Sequence, residues 1–161
     1  ALPISSLATH KPSMSTLYHK RVKMVEDILK SDLDIDIYGK GWDAYMHKDS
    51  RIKGNVENKK DALIDYEFSI AIENCSERDY FTEKLTDCIL LDTTPIYYGC
   101  PKIDRFFNNV YELSSLDMID EIQNVIENKQ PLSQLKNKKQ MALKYNLYTA
   151  ICSYMHKIYM F

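Results

Sequence analysis

Three neighbouring side chains in the middle of the sequence could bind one ligand together. Tyr80, Glu83 and Lys84 surround a predicted helix start at Thr82, which is a good N-cap residue. A helix N-terminus offers free N–H groups and partial positive charge to a phosphate. An aromatic ring, a carboxylate that accepts from ribose hydroxyls and an ammonium group that binds phosphate together suit a nucleotide. A solvated first helical turn is the alternative interpretation of the same residues.

The flanking sequence predicts a strand, a polar loop, a helix and a second strand. Residues 66–72 alternate, with Phe68, Ile70 and Ile72 on one face, and a helix follows from Thr82 to about Asp92. The apolar residues 95–98 then predict a strand that ends at Gly99. In such a βαβ unit, ligands bind where the first strand ends and the helix begins.

The rest of the chain continues this alternation of strands and helices. We predict strands at 3–8, 34–38 and 110–113, and helices at 16–30, 59–65, 114–128 and from Pro131 onwards. Residues 43–57 are predicted to be a polar connection, and residues 137–140 to be the solvated face of the last helix. This order predicts an α/β domain with a mostly parallel sheet and helices on both faces.

Composition limits the possible functions. A chain of 161 residues with a net charge of −2 suits one globular domain and does not suit an electrostatic nucleic-acid binder. Neither a signal peptide nor an apolar run long enough to span a membrane is visible. The four cysteines form no C-x-x-C pair, which favours reduced thiols and the cytoplasm or another reducing compartment.

A row of carboxylates invites a metal interpretation. Asp32, Asp34 and Asp36 alternate along a predicted strand, so they point the same way, but they precede the carboxyl end of that strand. We therefore expect a solvent-facing row and predict no metal site.

The central stretch resembles a sequence signature of glycosyltransferase family 10, the α-1,3-fucosyltransferases. The family pattern Y-K-F-x-L-x-F-E-N-S-x-x-x-D-Y-V-T-E-K-L, followed by A-G-x-V-P-V-x-x-G, is similar to the sequence between Tyr66 and Gly99. The matching residues are Tyr66, Phe68, Glu73, Asn74, Asp79, Tyr80, Thr82, Glu83, Lys84, Leu85, Pro95 and Gly99. Cys75 and Asp92 depart from the pattern, which has serine and glycine there.

The resemblance assigns candidate substrate-binding residues. It implies that Arg21 contacts the diphosphate of the nucleotide, because Arg21 matches a family arginine on the first helix. It implies binding roles for Glu73, Asn74, Tyr80, Thr82, Glu83 and Lys84 at the strand end and helix start. Asn55 is a further candidate for contact with guanine or ribose, with an ordinary turn residue as the alternative. Glu73 could equally be a buried residue that satisfies its hydrogen bonds locally.

The resemblance also implies the fold and the reaction. The chain looks like the Rossmann-like C-terminal domain of a GT-B glycosyltransferase, which binds GDP-fucose and needs no other cofactor. The catalytic base and the site for the glycan acceptor are then expected in an N-terminal domain, so we predict that residues 1–161 alone are inactive. The alternatives are a different nucleotide sugar, or a non-catalytic module that binds nucleotides or other proteins.

The apolar positions of the last predicted helix form more than one stripe, whereas one stripe is enough to pack against a sheet face. These include Tyr148, Met155 and Tyr159. We expect an exposed apolar patch there, which would contact an N-terminal domain or be buried in a homodimer.

Overall fold

The computed structural model describes the backbone of residues 4–7 and residues 17–42, 47–115 and 119–141. Strands and helices alternate along these ranges, as the sequence predicts. The strands are β1 (Ile4–Leu7), β2 (Asp36–Tyr38), β3 (Ile52–Gly54), β4 (Phe68–Ile72), β5 (Thr94–Tyr98) and β6 (Tyr111–Glu112). The helices are α1 (Tyr18–Lys30), α2 (Glu83–Leu91) and α3 (Ile119–Asn128), with short 3-10 helices at Lys59–Ala62 and Ile103–Arg105.

The six strands form one parallel sheet in the order β3-β2-β1-β4-β5-β6. β2 and β3 follow β1 toward one edge of the sheet. The chain then returns to the other side of β1, where β4, β5 and β6 follow toward the opposite edge. This order is that of a Rossmann fold, and its direction reverses between β1 and β4. The Rossmann-like parallel sheet predicted from the sequence is therefore confirmed.

The central strand β4 carries core residues on both faces of the sheet. Phe68, Ile70 and Ile72 belong to one apolar cluster, which also contains the buried faces of α1 and α3. Ala71, between them, belongs to a second cluster with Leu85 and other residues of α2. Successive side chains of a strand point to opposite faces, so the alternation read from the sequence places helices on both sides.

The end of α1 is held by Arg51, a residue that the sequence analysis did not identify. Its side chain is mostly buried and makes a 2.7 Å ion pair with Asp49. Its guanidinium group also donates to four carbonyls at or beyond the last turn of α1: Ile28 at 3.1 Å, Leu29 at 2.7 Å, Ser31 at 3.0 Å and Leu33 at 2.7 Å. The last carbonyls of a helix have no intrahelical partner, and here the guanidinium supplies the donors.

Two local predictions between β2 and β4 need correction. Residues 43–57 are not only a polar connection, because β3 pairs with β2 within them. A strand of three residues that ends in Gly54 is too short to show a hydrophobic period in the sequence. It forms because it pairs with β2. The predicted helix at 59–65 is a shorter 3-10 turn, in which the Asn58 side chain accepts a hydrogen bond from the Lys60 N–H at 3.0 Å.

The last helical segment begins later than predicted, at residue 135, and one of its supposedly solvated residues is buried. The preceding residues bond to β5 and to the end of α2 instead: Leu132 N–H donates to the Thr94 hydroxyl at 2.7 Å and Gln134 N–H to the Asp92 carboxylate at 2.9 Å. Asn137 has no exposed surface and donates to the Asn108 carbonyl. The prediction of a wet face at 137–140 is therefore wrong at Asn137.

The predicted apolar patch near Tyr148, Met155 and Tyr159, and the homodimer built on it, lie outside the described residues and stay predictions. Within the described ranges, no helix is both long enough and apolar enough to cross a membrane. Cys75, Cys88 and Cys100 are free thiols. Burial raises the pKa of Cys88 to about 12, so this thiol stays protonated at neutral pH.

Arg51→Lys should lower the free energy of unfolding by about 2–3 kcal/mol, because an ammonium group cannot replace the planar fork that bridges Asp49 and the helix end. Urea denaturation followed by circular dichroism measures the change. Arg78→Lys is the matched control, since Arg78 is well exposed, and it should stay within about 0.5 kcal/mol of the parent. Equal stability of the two variants would contradict the role of Arg51 as the cap of α1.

Candidate functional site

The candidate site lies where β1 and β4 end and the direction of the sheet reverses. The start of α1 and the end of β4 meet there, because the Leu17 N–H donates to the Asn74 carbonyl at 3.4 Å. The N-terminus of α2 is the third element at this edge. In parallel α/β sheets, ligands bind in this crevice beyond the carboxyl ends of the strands.

Arg21 links the two halves of the sheet at this crevice. It lies in the first turn of α1, has only 9% of its surface exposed and donates from Nη1 to Asn74 Oδ1 at 3.3 Å. Asn74 itself is exposed. Two residues that the sequence analysis named separately are therefore brought together, with a cationic group next to an accessible amide.

Glu73 holds the start of α2 against the end of β4. Its carboxylate accepts from the Thr82 N–H at 2.8 Å through Oε1 and from the Thr82 hydroxyl at 2.6 Å through Oε2. Thr82 is the N-cap of α2, as predicted. Glu73 has no exposed surface, and a carboxylate at a helix N-terminus is favourably placed. Glu73 thus satisfies its hydrogen bonds locally, which is one of the two alternatives that the sequence left open, and it positions the start of α2.

Gly99 allows β5 to pass close to this carboxylate. A Cβ atom at position 99 would lie 2.4 Å from Cγ of Glu73 and 2.5 Å from the hydroxyl of Tyr97. That hydroxyl accepts from the Cys100 N–H at 2.9 Å, and burial raises the pKa of Tyr97, which keeps the phenol protonated. A side chain at Gly99 would therefore displace the group that fixes the N-terminus of α2.

Lys84 and Glu83 project from the first turn of α2. Lys84 Nζ lies 3.2 Å from both the Thr82 hydroxyl and Glu83 Oε1, and 3.9 Å from Glu73. Glu83 is about half exposed. Burial alone would raise the pKa of Glu83. Its own backbone N–H and the Lys84 ammonium lower the pKa by a larger amount, so the net pKa lies below the usual value. An ionised carboxylate and an ammonium group thus lie side by side.

Tyr80 occupies the loop between β4 and α2, beside the crevice. Its ring is partly exposed, and burial and nearby acidic groups raise the pKa of its hydroxyl. The preceding residue, Asp79, adopts a left-handed conformation (φ 63°) and pairs with Arg105. Phe81, on the other side, packs 5.3 Å from Phe106 between ring centroids. These contacts fix the loop on both sides of Tyr80.

A pocket of about 320 Å³ collects four of the predicted binding residues, namely Arg21, Asn74, Glu83 and Lys84. Glu73, Thr82 and Tyr80 are not among the residues that line it. Asn55 is exposed after β3, at the outer edge of the sheet, and does not line the pocket. The lining also contains Gly39, Lys59, Leu63, Ser69, Ile70, Ala71, Ile72, Asp87 and Cys88. Of these, Lys59 and Asp87 are charged residues that the sequence analysis did not identify.

Of the three aspartates in the predicted row, only Asp36 lies in β2, and its carboxylate contacts a hydroxyl and an ammonium group. Asp36 accepts from the Tyr66 hydroxyl at 2.6 Å and pairs with Lys53 at 3.2 Å, while Asp32 and Asp34 are exposed. Among the described residues, no group of three or more His, Cys, Asp or Glu side chains could hold a metal ion.

Comparison with solved structures identifies similar folds. The chain aligns with an α1,3-fucosyltransferase at a TM-score of 0.56 and 23% identity, covering 87% of this chain and 43% of the other. A structure of α1,3-fucosyltransferase with GDP-fucose aligns at the same TM-score and identity, covering 90% and 47%. These similarities concern the fold alone, and this chain covers a little less than half of each solved structure.

Sequence comparison identifies relatives as well. An α-(1,3)-fucosyltransferase, FucT, of Helicobacter pylori is 37% identical over 68 residues, which are 39% of this chain and 14% of that protein. A fucosyltransferase-like protein of Arabidopsis thaliana is 33% identical over 86 residues, 53% of this chain and 15% of that protein. The aligned segments thus cover about one seventh of the length of each of these relatives. Residues 5–157 match glycosyltransferase family 10 (fucosyltransferase), C-terminal, and the chain therefore belongs to this family.

Proposed function

We propose that the chain is the donor-binding domain of a fucosyltransferase and that its pocket binds GDP-fucose. The observation that carries this proposal is the convergence of Arg21, Asn74 and Lys84 with the N-terminus of α2 on one pocket at the switch point. Two cations from different helices, beside the positive end of the α2 dipole, form a site for a diphosphate. The related structure that contains GDP-fucose supports the choice of donor.

Six of the residues predicted from the sequence have a proposed task. Arg21 and Lys84 neutralise the diphosphate and stabilise it as the acceptor hydroxyl attacks the anomeric carbon and GDP departs. Glu83, kept ionised, accepts hydrogen bonds from ribose hydroxyls. Tyr80 stacks on the nucleotide or hydrogen-bonds to it from the fixed loop. Glu73 and Thr82 act indirectly, by setting the direction of α2.

The base that takes the proton of the acceptor is proposed to lie in another domain. Glu73 is buried against Thr82, and Glu83 is assigned to the ribose, so neither carboxylate of the predicted site is left for an acceptor hydroxyl. The solved fucosyltransferases are about twice as long as the part that this chain covers. The reaction would be inverting, with the glycan acceptor entering from the other domain. The free thiols favour a reducing compartment, for which we propose the cytoplasm.

A different nucleotide sugar remains the second candidate, because the phosphate-binding residues do not select the sugar. Titration calorimetry of the chain with GDP-fucose, GDP-mannose and UDP-sugars separates the two. Tighter binding of GDP-fucose than of the others supports the proposal, and preference for a UDP-sugar overturns it.

Lys84→Ala and Arg21→Ala should each weaken GDP binding more than GMP binding. Each removes a charge-assisted contact to the diphosphate, worth about 1.5–3 kcal/mol. Calorimetric titrations of both nucleotides measure the difference. Lys129→Ala, on the exposed surface after α3, is the control and should change neither affinity. Equal losses for GDP and GMP would mean that these residues do not bind the β-phosphate.

Glu83→Gln should weaken GDP, GMP and guanosine by similar factors, because all three carry the ribose that Glu83 is proposed to bind. The same titrations measure this, with thermal unfolding as the check that the variant folds. A loss confined to GDP would instead assign Glu83 to the orientation of Lys84, which lies 3.2 Å away.

The 161-residue chain should bind GDP-fucose without transferring fucose to a glycan. Uniform binding of the donor does not lower the chemical barrier, and the proposed base and acceptor site lie elsewhere. Release of GDP in the presence of fucosyltransferase acceptors is the measurement, with a complete α1,3-fucosyltransferase as the positive control. Sustained transfer by this chain alone would contradict the placement of the base.

A further inference from the structure

Lys59 lines the pocket and lies close to two carboxylates of α2. Its Nζ lies 3.3 Å from Asp87 Oδ2 and 3.5 Å from Glu83 Oε1. Lys59 belongs to the 3-10 turn that Asn58 caps, and Asp87 lies one helical turn beyond Glu83. All three residues line the pocket, and the functions proposed above for its binding residues leave Lys59 and Asp87 without a task.

Lys59 and Asp87 together have the hydrogen-bonding groups that recognition of guanine requires. An ammonium group donates, and an ionised carboxylate offers two acceptor oxygens. The Watson–Crick edge of guanine presents the converse set, which is the O6 acceptor followed by the N1–H and N2–H donors. Adenine presents an amino donor where guanine has O6, and uracil has a single N–H between two acceptors, so neither base matches the pair.

The position of the pair along α2 suits the base of a nucleotide whose phosphates lie at the helix start. Residues four apart on a helix are neighbours, about 5–6 Å apart between Cβ atoms. The order Lys84, Glu83, Asp87 therefore leads from phosphate through ribose to base. The apolar residues Leu63 and Ala71 also line this pocket, and both are buried.

We propose that Asp87 and Lys59 read the Watson–Crick edge of the guanine of the donor, with Asp87 accepting from N1–H and N2–H and Lys59 donating to O6. The proposal rests on the function proposed above and adds the residues that select the base. Both side chains are partly exposed, at 30% for Asp87 and 52% for Lys59. An ion pair with this exposure contributes little to folding, so the pair can be altered without unfolding the chain.

The test compares GDP with IDP, inosine diphosphate, which lacks only the N2 amino group. The parent chain should bind GDP about tenfold more tightly than IDP, the value of one charged hydrogen bond. Asp87→Asn should reduce this preference to about twofold or less. Asp65→Asn is the matched control, because Asp65 is exposed and outside the pocket, and it should keep the full preference.

Lys59→Met gives the second, independent signature. Both GDP and IDP carry O6, so this variant should weaken both by similar factors, about fivefold to tenfold, and leave their ratio unchanged. An unaltered GDP:IDP ratio in Asp87→Asn, or unaltered GDP affinity in Lys59→Met, overturns the assignment of the base reader. In that case the donor-site proposal still stands if Lys84→Ala discriminates GDP from GMP. Failure of the folded parent chain to bind GDP overturns both proposals.

Discussion

The site depends on the buried hydrogen bonds between Glu73 and Thr82. A carboxylate with no exposed surface is tolerable only if both oxygens are satisfied, and the N–H and hydroxyl of one N-cap residue satisfy them here. Because Glu73 ends β4 and Thr82 begins α2, this contact fixes the start of the helix relative to the sheet. Gly99 leaves the space that the arrangement needs.

The topology of the sheet explains why cations from two distant parts of the sequence meet. Successive βα units place each helix start at the carboxyl edge of the sheet, and the reversal between β1 and β4 leaves α1 and α2 on opposite faces with their N-termini adjacent. Arg21 and Lys84 are thus brought to one crevice although 62 residues separate them in the sequence. Asn55 follows the outermost strand, β3, and the same topology keeps it away from that crevice.

The sequence predicted best what depends on local periodicity. The β4–α2–β5 unit, the N-cap at Thr82 and the end of α2 near Asp92 all follow from patterns within a few residues. It failed where a partner is remote in the chain. Arg51 caps a helix that ends about 20 residues earlier, and the buried Asn137 donates to the carbonyl of Asn108. The sequence allowed Glu73 either to bind substrate or to be buried with its hydrogen bonds satisfied locally, and it could not show that the side chain is buried.

The most direct test of the donor site is a titration of the chain with GDP followed by two-dimensional amide NMR. The account predicts the largest shift changes at the N–H groups of Asn74, Thr82, Glu83 and Lys84, because the phosphates would contact the start of α2. Amides at the opposite edge of the sheet, such as that of Leu132, should stay unchanged. Saturable changes at that edge, with no change at residues 82–84, would contradict the account.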